Sequence, residues 1–177
     1  MNLSNLANIG EFISGIAVIF SLIYLALQIR YNAKTVRGQT LQQNTDFWGD
    51  LFLQLAHPEF AKIFGIGIQG RADISPMNYT QFVCLARSMF MGFENQYFQY
   101  QSGILDPDSY SGYEKMIAAQ ILAYRGFRIY WEQNRSYHSP VFIDHFDNLL
   151  ARTPEVAGAP ELEKWIEIAS RLKGEQS

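Results

Sequence analysis

Eighteen consecutive residues without a formal charge, Phe12 to Ile29 (FISGIAVIFSLIYLALQI), constrain this chain more than any other stretch. As a helix they span about 27 Å at roughly 1.5 Å per residue. That is close to the hydrocarbon thickness of a bilayer, about 30 Å. Glu11 is the sole charged side chain before the stretch, whereas Arg30, Lys34 and Arg37 follow it and no acid intervenes before Asp46. The expectation is a transmembrane helix with the N-terminus outside and the C-terminal part in the cytoplasm. The three basic residues would sit at anionic headgroups. A cleaved signal peptide fits poorly, because residues 1 to 11 carry no Lys or Arg and the stretch ends in bulky, then basic, residues. A buried core helix is the soluble alternative.

The small and polar residues of the stretch are ordered. Gly10, Ser14, Ala17, Ser21, Tyr24 and Gln28 recur at spacings of four and three, a seam along one helical face. Phe12, Ile16, Ile19, Phe20, Ile23 and Leu27 occupy the rest of the surface. Lipid gives helices no hydrophobic reason to associate, so small residues that permit close approach mark a helix–helix face. The seam therefore predicts self-association or docking on another membrane protein.

The remainder reads as all-α. Each of four helix starts is a polar residue followed by proline: His57-Pro58, Ser75-Pro76, Asp106-Pro107 and Ser139-Pro140. Proline suits the first turn of a helix and the preceding residue is pushed out of helical geometry. Residues 30–56 continue the anchor helix. A short helix then runs from Pro58 to about Ile68, and GIGIQG at its end lacks the strand, Lys and Ser/Thr of a phosphate loop. Pro76 to Gln101 is the most apolar helix and the expected centre of the domain, with a stripe through Phe82, Leu85, Ala86, Met89, Phe93, Gln96 and Tyr100. A helix from Pro107 is expected to bend near Gly126. Another starts at Pro140, and an amphipathic helix covers 161–173. No stretch alternates in the manner of a strand. The expected organisation is an anchor over 1–29, a bundle of about six helices over 30–151, a linker over 152–160, and a C-terminal helix and fraying tail over 161–177.

Aromatic residues are abundant at 15% and charged residues sparse at 18%, below the roughly 25% of ordinary soluble domains. Such a chain has a membrane or partner surface to cover. A net charge of −3 without clustered Lys and Arg outside 30–37 gives no nucleic-acid footprint. The single cysteine, Cys84, makes no internal disulfide and reads as a core thiol within an apolar helix.

Glu94 is the residue with the most chemistry. Phe90, Tyr97 and Phe98 are its helical neighbours, so its carboxylate needs either a raised pKa or a partner. It is a candidate acid, base or ligand, or half of an ion pair with Arg87, Arg125 or Arg128. Phe90, Phe93, Glu94, Tyr97 and Trp131 form the candidate ligand pocket. His138, Asp144, His145 and Asp147 cluster in sequence but lack the Glu-x-x-His pattern of helical metal sites. His57 and His145 read as surface or capping residues, and His138 as a loop residue able to cap the helix at Pro140. Neither a metal nor a cofactor is expected.

The segments GEFISGIAVIFSLIYLALQIRYNAKTVR, HPEFAKIF and FENQYFQYQSGILD, with Trp131, resemble those of a group of small bacterial proteins that carry one N-terminal membrane helix and a helical domain. The resemblance runs to about residue 150. It implies an inner-membrane anchor and a cytoplasmic helical domain, and it carries over no catalytic residue. Three functions follow as expectations. The first is a non-enzymatic interaction or assembly module, a homo-oligomer or accessory subunit of a membrane complex. The second is a bundle that binds an apolar ligand such as a lipid or quinone. The third is an enzyme centred on Glu94, which requires an open pocket and a Glu94 free of arginine.

Overall fold

A computed structural model describes residues 3–156 and 160–174. Every regular element among them is helical. The chain divides into two compact units, Met1–Thr45 and Asp46–Ser177. The domain boundary expected at residue 29 falls inside one uninterrupted helix, α1 (Leu3–Leu55). Residues 157–159 of the expected linker and 175–177 of the expected tail lie outside the described residues.

In the first unit every side chain from Gly10 to Ile29 is exposed. Phe12 stands 70% exposed and Phe20 66%. This is the helix long and apolar enough to cross a membrane. Its serine, tyrosine and glutamine side chains bond within the helix. Ser14 Oγ donates to Gly10 O at 2.8 Å, Ser21 Oγ to Ala17 O at 2.8 Å, and Gln28 Nε2 to Tyr24 Oη at 3.1 Å. These three bonds join the six seam residues in pairs.

The second unit begins with the last turns of α1 and continues through α2 (Pro58–Gly67), α3 (Pro76–Gln101), α4 (Pro107–Ile117), α5 (Arg125–Asn134), α6 (Pro140–Arg152) and α7 (Pro160–Gly174). Proline opens five of these six helices at the expected places or one residue from them. Ser75 Oγ accepts from Asn78 N and Asp106 Oδ1 from Ser109 N, so both residues cap as read from the sequence. Ser139 does not: its Oγ is buried without a partner. The bend expected at Gly126 occurs earlier. A π-turn over Ala118–Leu122 follows α4, and Tyr124 is extended before α5 begins. Arg128 donates to the carbonyls of Leu122 and Thr153, which closes the C-terminal ends of the π-turn and of α6.

Helix α3 is the centre. Phe82, Ala86, Met89, Phe90, Phe93, Gln96 and Tyr97 are buried along it. The Phe90 ring is fully buried and lies 5.0–6.4 Å, centroid to centroid, from those of Phe93, Phe127, Tyr130, Trp131 and Phe146. Trp48 from the end of α1 stacks on Phe93 at 4.9 Å. Gln96 follows the apolar stripe inward and leaves both amide atoms unbonded. Cys84, read from the sequence as a core thiol, is exposed instead.

The crossing of α2 and α5 is set by backbone. Gly126 N donates to Ile68 O at 2.9 Å. A β-carbon on Gly126 would stand 1.9 Å from Gly67 O, and one on Gly67 would enter the Phe82 ring at 2.0 Å. Gly70, at φ +60°, makes the turn that leads away, a conformation glycine adopts freely. Those contacts account for Gly67 and Gly70 of GIGIQG without any phosphate. Replacing Gly126 with alanine should cost about 3 kcal/mol, since a backbone carbonyl cannot yield as a side chain can. Gly112→Ala in α4, where a β-carbon meets nothing, should stabilise by about 0.5 kcal/mol. Urea unfolding of the two variants checks the contrast.

Candidate functional site

Arg87, Met91 and Glu94 follow one another at spacings of four and three on α3, so they share one face. Tyr130 on α5, and Tyr137 and His138 in the α5–α6 connection, stand across from them. The six line an open cleft of about 470 Å³.

At one end both oxygens of Glu94 are engaged. Oε2 lies 2.7 Å from His138 Nδ1, and Oε1 accepts from Ser139 N at 2.9 Å. The second bond takes a free amide at the start of α6, so Glu94 supplies the cap that the Ser139 hydroxyl does not. Burial alone would push the Glu94 carboxyl up. The hydrogen bonds from Ser139 and His138 outweigh it and hold the group below its ordinary range. The partner is therefore a histidine rather than Arg87, Arg125 or Arg128. His138, expected as a loop residue that caps, is seated inward with its side chain 6% exposed. Its ring packs beside Trp131, Phe142 and Phe90 at 5.3, 5.5 and 6.3 Å. An ionised carboxylate only accepts, so Nδ1 carries a proton and Nε2 is left to bond elsewhere.

At the other end Arg87 stands beside the Tyr130 hydroxyl. Burial pushes the Tyr130 phenol up and the neighbouring guanidinium offsets part of that. Tyr137, 79% exposed, and Met91, 61% exposed, give the rim its apolar surface.

The other expected residues are placed elsewhere. Of the five candidate pocket residues, Glu94 alone lines this cleft. Phe90, Phe93, Tyr97 and Trp131 are buried in the core, where ring packs on ring, and that contact fills the space an apolar ligand would need. His145 joins a separate network. Tyr110 Oη lies 2.6 Å from its Nε2, Glu114 Oε1 lies 3.5 Å from it, and Arg152 Nη2 holds Glu114 at 2.8 Å. Burial pushes the His145 imidazole down, Glu114 pulls it back and Arg152 opposes that. Burial also pushes the Tyr110 phenol well up. Both groups are therefore neutral near pH 7, and the imidazole tautomer sets which of them donates. Asp147 accepts from Trp131 Nε1 at 2.7 Å and pairs with Arg135. The cluster of His138, His145 and Asp147 in sequence thus disperses to three sets of partners. Among the described residues no group of three His, Cys, Asp or Glu side chains is placed to hold a metal ion.

Arg87, Tyr130 and Tyr137 were not singled out as site residues by sequence reasoning. The available signal was phase: Arg87, Met91 and Glu94 share the face of α3 opposite its apolar stripe. No family model, curated protein or solved structure matches the chain.

The depressed Glu94 carboxyl links stability to pH. As pH falls, the unfolded chain takes up this proton first, near pH 4.3 or so. The contribution of Glu94 is therefore present above that pH and is lost as pH falls through the lower folded value. Glu94→Gln should cost about 2 kcal/mol at pH 7. Urea titrations at successively lower pH should show the gap between variant and parent closing once the carboxyl protonates.

Proposed function

We propose that this chain is a single-pass membrane protein of the bacterial inner membrane. The N-terminus lies outside, and the all-α unit is an interaction or assembly module on the cytoplasmic face, as a homo-oligomer or an accessory subunit of a membrane complex. The observation that carries this reading is the surface of α1. From Gly10 to Ile29 no side chain is covered, and from Phe12 to Ile29 the stretch holds no formal charge. An apolar surface of that extent is not sustained in water. Internal hydrogen bonds take up both serine hydroxyl donors and join Gln28 to Tyr24, which lowers the penalty of several kcal/mol for each unsatisfied group in lipid. Arg30, Lys34 and Arg37, all exposed, follow the apolar stretch and favour retention of that side in the cytoplasm.

The seam of Gly10, Ser14, Ala17, Ser21, Tyr24 and Gln28 supports assembly. The serine hydroxyls are folded back onto their own helix, so the face presents small, hydrogen-bonded side chains that let a second helix approach closely.

Two measurements test this. Membranes washed at alkaline pH should retain the protein, and detergent should release it. Cys84 is the one cysteine in the chain and is exposed, so an impermeant maleimide should label it after lysis and leave it unlabelled in intact spheroplasts. Labelling in intact spheroplasts would reverse the orientation, and release by the wash would remove the anchor. For assembly, light scattering of the detergent-extracted protein should give a multimer, and Ser14→Leu with Ser21→Leu should reduce it to a monomer. An unchanged mass would refute the seam.

A further inference from the structure

We propose that the cleft between α3 and the α5–α6 connection binds a small organic anion, a carboxylate or phosphate ester, whose charge pairs with Arg87 and whose hydroxyl bonds to His138 Nε2.

Arg87 makes no ion pair among the described residues. The nearest carboxylate on its helical face, Glu94, stands seven residues away, roughly 10 Å along the helix axis. Both Glu94 oxygens are already taken by His138 and Ser139. The guanidinium thus keeps its charge for a ligand, with the donors it does not give to the neighbouring Tyr130 hydroxyl, and that hydroxyl adds a further donor. A planar fork of this kind matches carboxylate and phosphate oxygens in pairs.

His138 lines the same cleft. Its Nδ1 is turned to Glu94, so Nε2 is the polar atom it can offer, and that atom has no partner among the described residues. Nε2 offers either a lone pair or an N–H, and a hydroxyl on the ligand can pair with both. The ring is fixed by Glu94 on one edge and by Trp131, Phe142 and Phe90 on its faces. Its side chain is 6% exposed, so this nitrogen is oriented before any ligand arrives. Met91 lies between the two polar ends on the same face of α3. The cleft volume of about 470 Å³ suits a molecule with a short apolar body. A cation at one end and an imidazole nitrogen at the other define the ligand: an acid group, a few carbon atoms and a hydroxyl.

A soluble metabolite and a phospholipid headgroup both carry this chemistry. The chain has three histidines, so full-length protein labelled at histidine 13Cε1 gives three resonances to follow. In the first arm, protein in maltoside micelles is titrated with glycerol 3-phosphate. In the second, the protein is placed in lipid discs of phosphatidylglycerol, which has headgroup hydroxyls, and of phosphatidylcholine, which has none. The expected result is a saturable displacement of the His138 resonance, with those of His57 and His145 unmoved and a midpoint of roughly 1 mM for the soluble probe. Displacement by glycerol 3-phosphate identifies a soluble source, and displacement in phosphatidylglycerol discs alone identifies the headgroup. Arg87→Gln should weaken either response about tenfold, while Arg71→Gln, whose guanidinium is already paired with Asp73, should leave it unchanged. Arg87 is exposed, so its replacement spares the core. No displacement of His138 in either arm, or one that Arg87→Gln leaves intact, would overturn the proposal.

Discussion

The second unit depends on covering α3. A helix that is apolar over most of its circumference cannot be satisfied by one neighbour, so it has to be enclosed on several sides. Phe90 records the result. Its ring meets rings from α5 and α6 as well as from its own helix, and Trp48 closes the surface at Phe93. Burial of each such ring contributes on the order of 2 kcal/mol, and each ring's position is fixed by the others. The helices around α3 therefore have little freedom to shift without opening a void. One consequence reaches the cleft: its floor and walls come from elements whose positions the core has already set.

Much of this was legible in the sequence, and the reasons differ by element. The prolines and caps act locally, so Pro58, Pro76, Pro107 and Pro140 announce helices whatever surrounds them. The α3 stripe is periodic, and period survives without tertiary knowledge. Cys84 went wrong because its neighbours Val83 and Leu85 were read as surroundings. Phase gives the better reading. At about 100° per residue, Cys84 lies roughly 200° round the helix from Phe82, on the side where Arg87, Met91 and Glu94 also fall. The apolar neighbours in sequence were not its neighbours in space.

Two features were beyond sequence reasoning for a different reason: they are contacts between distant segments. Nothing local to Gly67 or Gly126 tells that the two backbones meet, and glycine in a helix end reads equally as looseness. In the same way, the need of Glu94 for a partner could be inferred from its aromatic neighbours, but its identity could not. Arginines are common partners for a carboxylate and were the natural expectation. The actual partner, His138, lies 44 residues on, and the Ser139 amide beside it is available because a helix begins there with Pro140. The sequence reads Ser139-Pro140 as a helix start, with His138 as a residue able to cap it. In the fold its serine hydroxyl turns inward unbonded and a carboxylate from another helix takes over the cap.

That substitution matters for what the cleft can do. A cap supplied by the serine itself would stabilise α6 and leave His138 free to rotate. A cap supplied by Glu94 joins α3, His138 and the start of α6 through one carboxylate, so the bond that stabilises the helix also fixes the imidazole. The carboxylate's two oxygens are bonded within this group, about two turns along α3 from Arg87. Holding a histidine in one orientation ordinarily requires ordering it when ligand binds, at a cost of about 1 kcal/mol for a mobile side chain. Here the folded core has already met that cost. A structural role for Glu94 and a recognition role for His138 are thus two effects of the same pair of hydrogen bonds.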